Sequence, residues 1–224
     1  SIVRKLEIQQ AQAAITYQTP GAIAYSASAG TTVSPAYPAS IAANNLLVLV
    51  IGMKPSTANG GSVTTPAGWT AVPSGALTGA GGYGTTLGAD TGNTNIFTFY
   101  KVAAGTESGT LAVTIGTNGV SWAQMYRYTN ASGSWSVAGT TNSDVAAGNV
   151  SIAFGANPGV TAGDNILAAM VVPTDVTTPA QFSAEAFTQT GITFGTATEI
   201  SEPDTTTGND MGGFVVRVPV NTGT

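Results

Sequence analysis

Leu46-Leu47-Val48-Leu49-Val50-Ile51 is apolar without a break. β-Branched residues in so short a run favour a strand over a helix, and a strand with no polar side must be covered on both faces. This places the run in the middle of a β-sheet protein. Around it, segments rich in Val, Ile, Thr, Phe and Tyr recur at short intervals, with Gly, Asn, Pro or Ser clusters between them. That is the pattern of an all-β sandwich or barrel, and about eleven segments qualify by that rule. The strongest span residues 46–53, 94–102, 109–115, 121–129, 150–154, 166–172, 181–187 and 213–220. Polar and apolar positions partly alternate in 96–102 and 122–128, as in strands with one covered face. The expected fold is all-β: a jelly-roll-like β-sandwich of two antiparallel sheets over residues 21–224, with residues 1–20 as an N-terminal arm or short helix.

At 224 residues folding buries roughly 70% of the extended-chain surface, so a real core is available. Lys, Arg, Asp and Glu make up only 8% of the chain, about a third of the usual ~25%. Ala, Thr, Gly, Ser and Asn take their place. A surface of small neutral groups does little to keep copies apart, which suits a protein held at high local concentration in an assembly. Six cations stand against eleven anions, which argues against a groove tracking nucleic-acid phosphates. No apolar run reaches the ~20 residues of a membrane-spanning helix, so no membrane partner is expected. Residues 1–19 lack the apolar centre of a secretory signal, and synthesis in the cytoplasm is the expectation. With no Cys, stability has to come from packing and backbone pairing.

Residues 1–20 differ from the rest: Arg4 and Lys5 hold a third of all cations, Gln9, Gln10 and Gln12 follow, and no Gly precedes Gly21. One reading is an arm that docks on a partner through Arg4 and Lys5; the other is a first strand that pairs within its own sheet. A second feature is an internal echo. Ala43-Asn44-Asn45-Leu46-Leu47-Val48-Leu49-Val50 resembles Gly163-Asp164-Asn165-Ile166-Leu167-Ala168-Ala169-Met170, a turn followed by an apolar strand. Further on, Phe97-Thr98-Phe99-Tyr100-Lys101-Val102 parallels Phe214-Val215-Val216-Arg217-Val218-Pro219, each with one cation expected to point outward. Two related β layers would produce this, and so would the general likeness of apolar strands. If the halves are related, the second lacks the counterpart of the strands at 109–129. The sheet edge left open would then be covered by a neighbouring subunit.

The chain contains no His, which removes the commonest general base, the Ser/His and Cys/His pairs and imidazole metal ligands. Asp90-Thr91-Gly92 matches an aspartic-protease tripeptide, but Gly88-Ala89 and Asn93-Thr94-Asn95 flank it where apolar strands would be needed. It reads as a hairpin turn, and no enzymatic activity or cofactor is expected. The run 79–84 is Gly-rich and reads as a surface loop, having neither the helix nor the Lys of a phosphate loop. Glu199, Glu202, Asp204 and Asp210 could offer oxygen ligands to Ca²⁺, with Asp90, Asn93 and Asn95 as a weaker set, but neither matches a regular calcium loop; no metal is assigned. The sequons at Asn130 and Asn149 matter only in a secreted protein. Trp69, Trp135 and Tyr83 could stack on sugar rings, although aromatics in strands more often fill the core.

One ordered set of segments resembles a known domain. The apolar strand 46–52, then Pro66-Ala67-Gly68-Trp69-Thr70, then Phe99-Tyr100-Lys101-Val102-Ala103, then 109–115, then Ala123-Gln124-Met125-Tyr126-Arg127-Tyr128 is similar to the β-sandwich domain of bacteriophage virion structural proteins. The Pro-Ala-Gly-Trp-Thr turn is its most specific part, and the likeness extends loosely over residues 24–220. The resemblance implies a non-catalytic role in head decoration (cement) or in tail and fibre proteins, in contact with capsid or tail subunits. It also implies a virion location and a homo-oligomer such as a trimer. The competing expectation is a tail or fibre adhesin that binds carbohydrate.

Overall fold

The computed structural model describes residues 14–55, 61–80, 93–143, 152, 159–173, 185–205 and 211–222. Among them are eleven strands and no helix. The first six are β1 (Thr16–Gln18), β2 (Ala24–Val33), β3 (Leu46–Pro55), β4 (Thr70–Ala80), β5 (Thr94–Val102) and β6 (Val113–Thr129). The others are β7 (Asn165–Val172), β8 (Thr193–Phe194), β9 (Thr198–Ser201), β10 (Asp204–Thr205) and β11 (Met211–Thr222). They form two antiparallel sheets in a sandwich-like all-β fold. In the larger sheet the order is β1-β6-β3-β5-β4, with β2 following β1 along the same side of β6.

The apolar run at 46–51 is the inner strand that its composition requires. Leu49 of β3 lies opposite Met125 of β6 on one side and Phe99 of β5 on the other. Leu47, Leu49, Ile51 and Met53 face one apolar core, shared with Phe97, Val113, Ile115 and Trp69. The alternate residues Leu46, Val48 and Val50 face a second core between the sheets. Full burial of a side chain such as Leu or Ile contributes about 1.5–3 kcal/mol, so a strand buried on both sides stabilises twice over. Trp69 enters the first core from a tight turn in which its N–H donates to the Pro66 carbonyl at 3.0 Å. Gly68 at φ 77° supplies the positive dihedral that this turn demands.

Three expectations are corrected here. Segments 109–115 and 121–129 are not two strands: β6 runs unbroken for 17 residues from Val113. Gly116 and Gly119 mark close approach rather than a turn, because a Cβ on Gly119 would sit 2.7 Å from the Lys54 carbonyl and one on Gly116 would strike Ser62. Nor is the stretch 122–128 half-buried. Residues 121–126 are all buried, since β6 has neighbours on both sides and a core on each face. β5, by contrast, alternates as expected. Third, the described residues 152 and 185–187 carry no strand; the rest of 150–154 and 181–184 lie outside the described residues. In the Gly-rich run 79–84, Gly79 and Ala80 end β4, and 81–84 lie outside the described residues.

In the smaller sheet β11 is the inner strand, with β7 on one side and β8, β9 and β10 in succession on the other. Phe214, Val216 and Val218 build its outer face with Phe187 and Phe194, and Met211 and Val215 face the larger sheet. Between the sheets stands Trp122, with no exposed surface. A Cβ on Gly213 of β11 would lie 2.7 Å from its indole, and one on Gly52 of β3 would collide with the indole nitrogen. Two glycines, one per sheet, thus leave the slot that the ring fills. Gly213→Ala is expected to cost roughly 1–3 kcal/mol, the range for overpacking a filled core. The loss should shrink when Trp122→Phe is present in the same chain. Urea denaturation of the four proteins measures both terms, and an unchanged midpoint for Gly213→Ala would rule out the tight slot.

Candidate functional site

The described charged and hydroxyl groups mostly brace the fold. Residues 15–18 tie both sheets together: β1 pairs with the end of β6, and the Asn165 amide donates to the Ile15 carbonyl at 3.1 Å. Tyr17 meets Tyr128 edge-on at 5.6 Å, and the Arg217 guanidinium lies 5.2 Å from the Tyr17 ring centre. Burial pushes the Tyr17 hydroxyl up to about 12, partly offset by the Arg217 charge. Tyr126 donates to Gln124 at 2.8 Å, and Gln124 donates to the Gly21 carbonyl at 3.0 Å. Of the segment expected to be an arm or short helix, residues 16–18 are therefore a strand within the body.

Glu107 closes the loop between β5 and β6. Its carboxylate accepts the N–H groups of Ala104 at 2.9 Å, Gly105 at 2.9 Å and Thr106 at 3.1 Å. The Lys101 ammonium lies 2.9 Å away. Burial alone would raise this carboxyl, but the backbone donors and Lys101 outweigh it and hold it down at about 2.

The internal echo has a structural counterpart. At the start of β3, Ala42 N–H donates to Asn45 Oδ1 at 3.1 Å and Asn45 N–H to the Ala42 carbonyl at 3.2 Å. At the start of β7, Thr161 N–H donates to Asp164 Oδ2 at 2.7 Å and Asp164 N–H to the Thr161 carbonyl at 3.1 Å. Asn44 at φ 67° and Gly163 at φ 93° take the same left-handed position. Two further backbone bonds tie each turn to its partner strand, between Asn44/Asn45 and Ala103 and between Gly163/Asp164 and Val220. The registers then match throughout, Leu46 opposite Val102 and Asn165 opposite Pro219. Asn45 thus corresponds to Asp164, one residue away from the sequence alignment. Lys101 and Arg217 are not equivalent, and Arg217 points inward, against expectation.

The two strand pairs differ in what lies beside them. β6 covers the far side of β3, and Arg127, opposite Leu47, donates to Asn45 Oδ1 at 3.0 Å and to the Ser40 carbonyl at 3.0 Å. Beside β7 no strand other than β11 is present among the described residues. All eight residues of β7 are half-buried, whereas nine of the ten in β3 are buried. On the open side the segment 131–143 crosses the larger sheet. Trp135 donates to the Asn44 carbonyl at 2.8 Å, and Thr141 donates to the Ala76 carbonyl of β4 at 3.4 Å. Trp135 and Val137 pack on the core between the sheets, and no backbone pairing with β7 is present among the described residues. The outer edge of β7, unpaired among the described residues, is therefore the candidate site, since a strand edge can accept an extended chain.

The residues singled out from sequence are not brought together. Arg4, Lys5 and Tyr83 lie outside the described residues. Trp69 is 6% exposed in the core, which removes it as a sugar platform. Trp135 is half-buried, with its indole N–H spent on Asn44. Glu199 is exposed on β9; its carboxyl is raised by burial and then by the charges of Glu202 and Glu185. Among the described residues no three acids gather in a metal-binding arrangement, and Asp90 and Asp210 lie outside them, while Asn95 is buried in β5. The Asn130 side chain is engaged with Ser134 and Gly133, and Asn149 lies outside the described residues. Sequence reasoning missed Glu107 and Asp164. Comparison with known protein families, curated proteins and solved structures finds no match.

The carboxyl of Glu107 ionises more readily in the folded chain than its ordinary 4.5. Its stabilisation is thus complete above that value and is lost as pH falls through about 2. Glu107→Gln should lower stability at pH 7 by roughly 1.5–3 kcal/mol, the scale for hydrogen bonds to a charged group. The gap from the parent chain should close as pH is lowered from 4.5 towards 2. Denaturation midpoints across that range are the check, and a gap independent of pH would exclude the carboxylate clamp.

Proposed function

We propose that the chain is a structural subunit of a bacteriophage particle: a decoration or cement protein that stabilises the capsid through protein–protein contacts. The outer edge of β7, beside which no strand is present among the described residues, carries this reading, because such an edge is suited to joining subunits. Two further features support it. Charged residues make up 8% of the chain, which lets copies crowd without strong repulsion. The Pro66-Ala67-Gly68-Trp69 turn, on which the likeness to virion β-sandwich domains rests most, seats Trp69 in the core. The chain would be made in the host cytoplasm and retained on the particle, in contact with capsid subunits and with other copies of itself.

Counting copies in isolated particles tests this. Native mass measurement should find the chain in hundreds of copies, and particles lacking it should rupture at lower temperature. A copy number of three or six would move the chain to the tail, and its absence from particles would end the reading.

A further inference from the structure

We propose that residues 14–18 form a strap that opens as one unit about Thr19-Pro20, ahead of global unfolding, and uncovers Tyr128 and Arg217 at the end of the core between the sheets. This holds whether or not the chain belongs to a particle.

The strap bridges both sheets and is held lightly by each. On the larger sheet β1 pairs with β6 over three residues, Tyr17 opposite Tyr128, and the Gln18 amide donates to Thr129 Oγ1 at 3.3 Å. On the smaller sheet the Asn165 amide donates to the Ile15 carbonyl, and the Arg217 guanidinium lies over the Tyr17 ring. No residue from 14 to 20 is fully buried. Fixing a residue costs backbone entropy whether or not its side chain is covered, so a half-covered segment gains least in return. Such segments open at the lowest free energies in a fold.

The register sets the hinge. Gln18 and Ala24 are six positions apart, whereas their partners Arg127 and Ala123 are four apart on β6, so the chain bows out between them. Pro20 stands in the bow and has no N–H to pair. Just beyond it the chain is fixed. Gly21 is buried, its N–H donates to the Met125 carbonyl at 2.9 Å, and its carbonyl accepts the Gln124 amide at 3.0 Å. A Cβ on Gly21 would strike the Ala36 carbonyl oxygen. The strap therefore swings from a firm pivot while β2 and β6 stay paired.

Closure also leaves polar groups unsatisfied. Tyr128 is 4% exposed, and neither its hydroxyl nor Asn165 Oδ1 finds a hydrogen-bond partner among the described residues. Opening returns both to water, and that gain favours the open state. What it uncovers is the Tyr128 ring, the Arg217 charge and the pairing edge of β6 at 127–129. An aromatic face, a cation and a strand edge together form a surface that the closed strap fills with its own Tyr17.

Hydrogen exchange of the full chain, read by mass on proteolytic fragments, tests this. Residues 16–18 should exchange at least about ten-fold faster than residues 46–51 and with a shallower dependence on urea. Ile51→Val lies in the core away from the strap. It should speed exchange at 46–51 several-fold and leave 16–18 unchanged, because that core stays intact when the strap opens. Arg217→Gln removes a contact made only in the closed state and should speed exchange at 16–18 several-fold. Tyr128→Phe removes the unpartnered hydroxyl and should slow it. If Ile51→Val speeds both segments by the same factor, the strap opens only with the whole body and the proposal is overturned. Unchanged exchange at 16–18 in Arg217→Gln, or faster exchange there in Tyr128→Phe, overturns it as well.

Discussion

The body depends on one indole. Trp122 fills the space between two sheets whose other facing residues are mostly aliphatic, and it does so only because Gly52 and Gly213 leave its ring room from either side. A large rigid ring packed against two backbones fixes sheet separation and sheet angle together, since neither backbone can slide without opening a void or a clash. Tyr126 and Tyr128 continue the same row along β6 towards Tyr17 and Arg217. The long strand is therefore a spine for both layers: it pairs laterally within the larger sheet and projects alternate aromatics into the smaller one.

What could be read from the sequence follows burial symmetry. β3 was legible because both faces are covered, and a strand covered twice has no choice but continuous apolarity. β5 was legible because its faces differ. β2 and β4 carried little signal: their small residues fit strands that lie beside only one neighbour, and Pro73 and the glycines of β4 suit the outermost position in the sheet order. At Gly116 and Gly119 the same residue type serves two ends, turn and close approach, and only the nearby Lys54 carbonyl and Ser62 decide between them.

Of the candidate site, the repeat and the expectation of an open edge in its second half came from the sequence, whereas the register did not. Lining up the two halves by residue likeness set Asn165 against Asn45, whereas the hydrogen bonds set Asp164 there. The turn needs a side-chain oxygen three residues along and a residue tolerant of positive φ just before it. Asn and Asp meet the first need equally, and Asn and Gly the second. Likeness by letter therefore slips by one residue while the backbone solution is conserved. Glu107 was hidden for a related reason: its partners are mostly backbone N–H groups, which leave no mark in the sequence.

The exchange of an amide for a carboxylate distinguishes the two turns chemically. An amide at Asn45 suits a slot filled from within the chain, where the turn must hold its shape whether or not Arg127 is fully seated. A carboxylate at Asp164 adds net charge at an edge that carries no strand of its own among the described residues. Such a charge stays hydrated at little cost, and here its oxygen is spent on the turn, accepting from the Thr161 N–H. In general an acid beside a strand edge opposes non-specific edge pairing, which a wholly neutral edge would not.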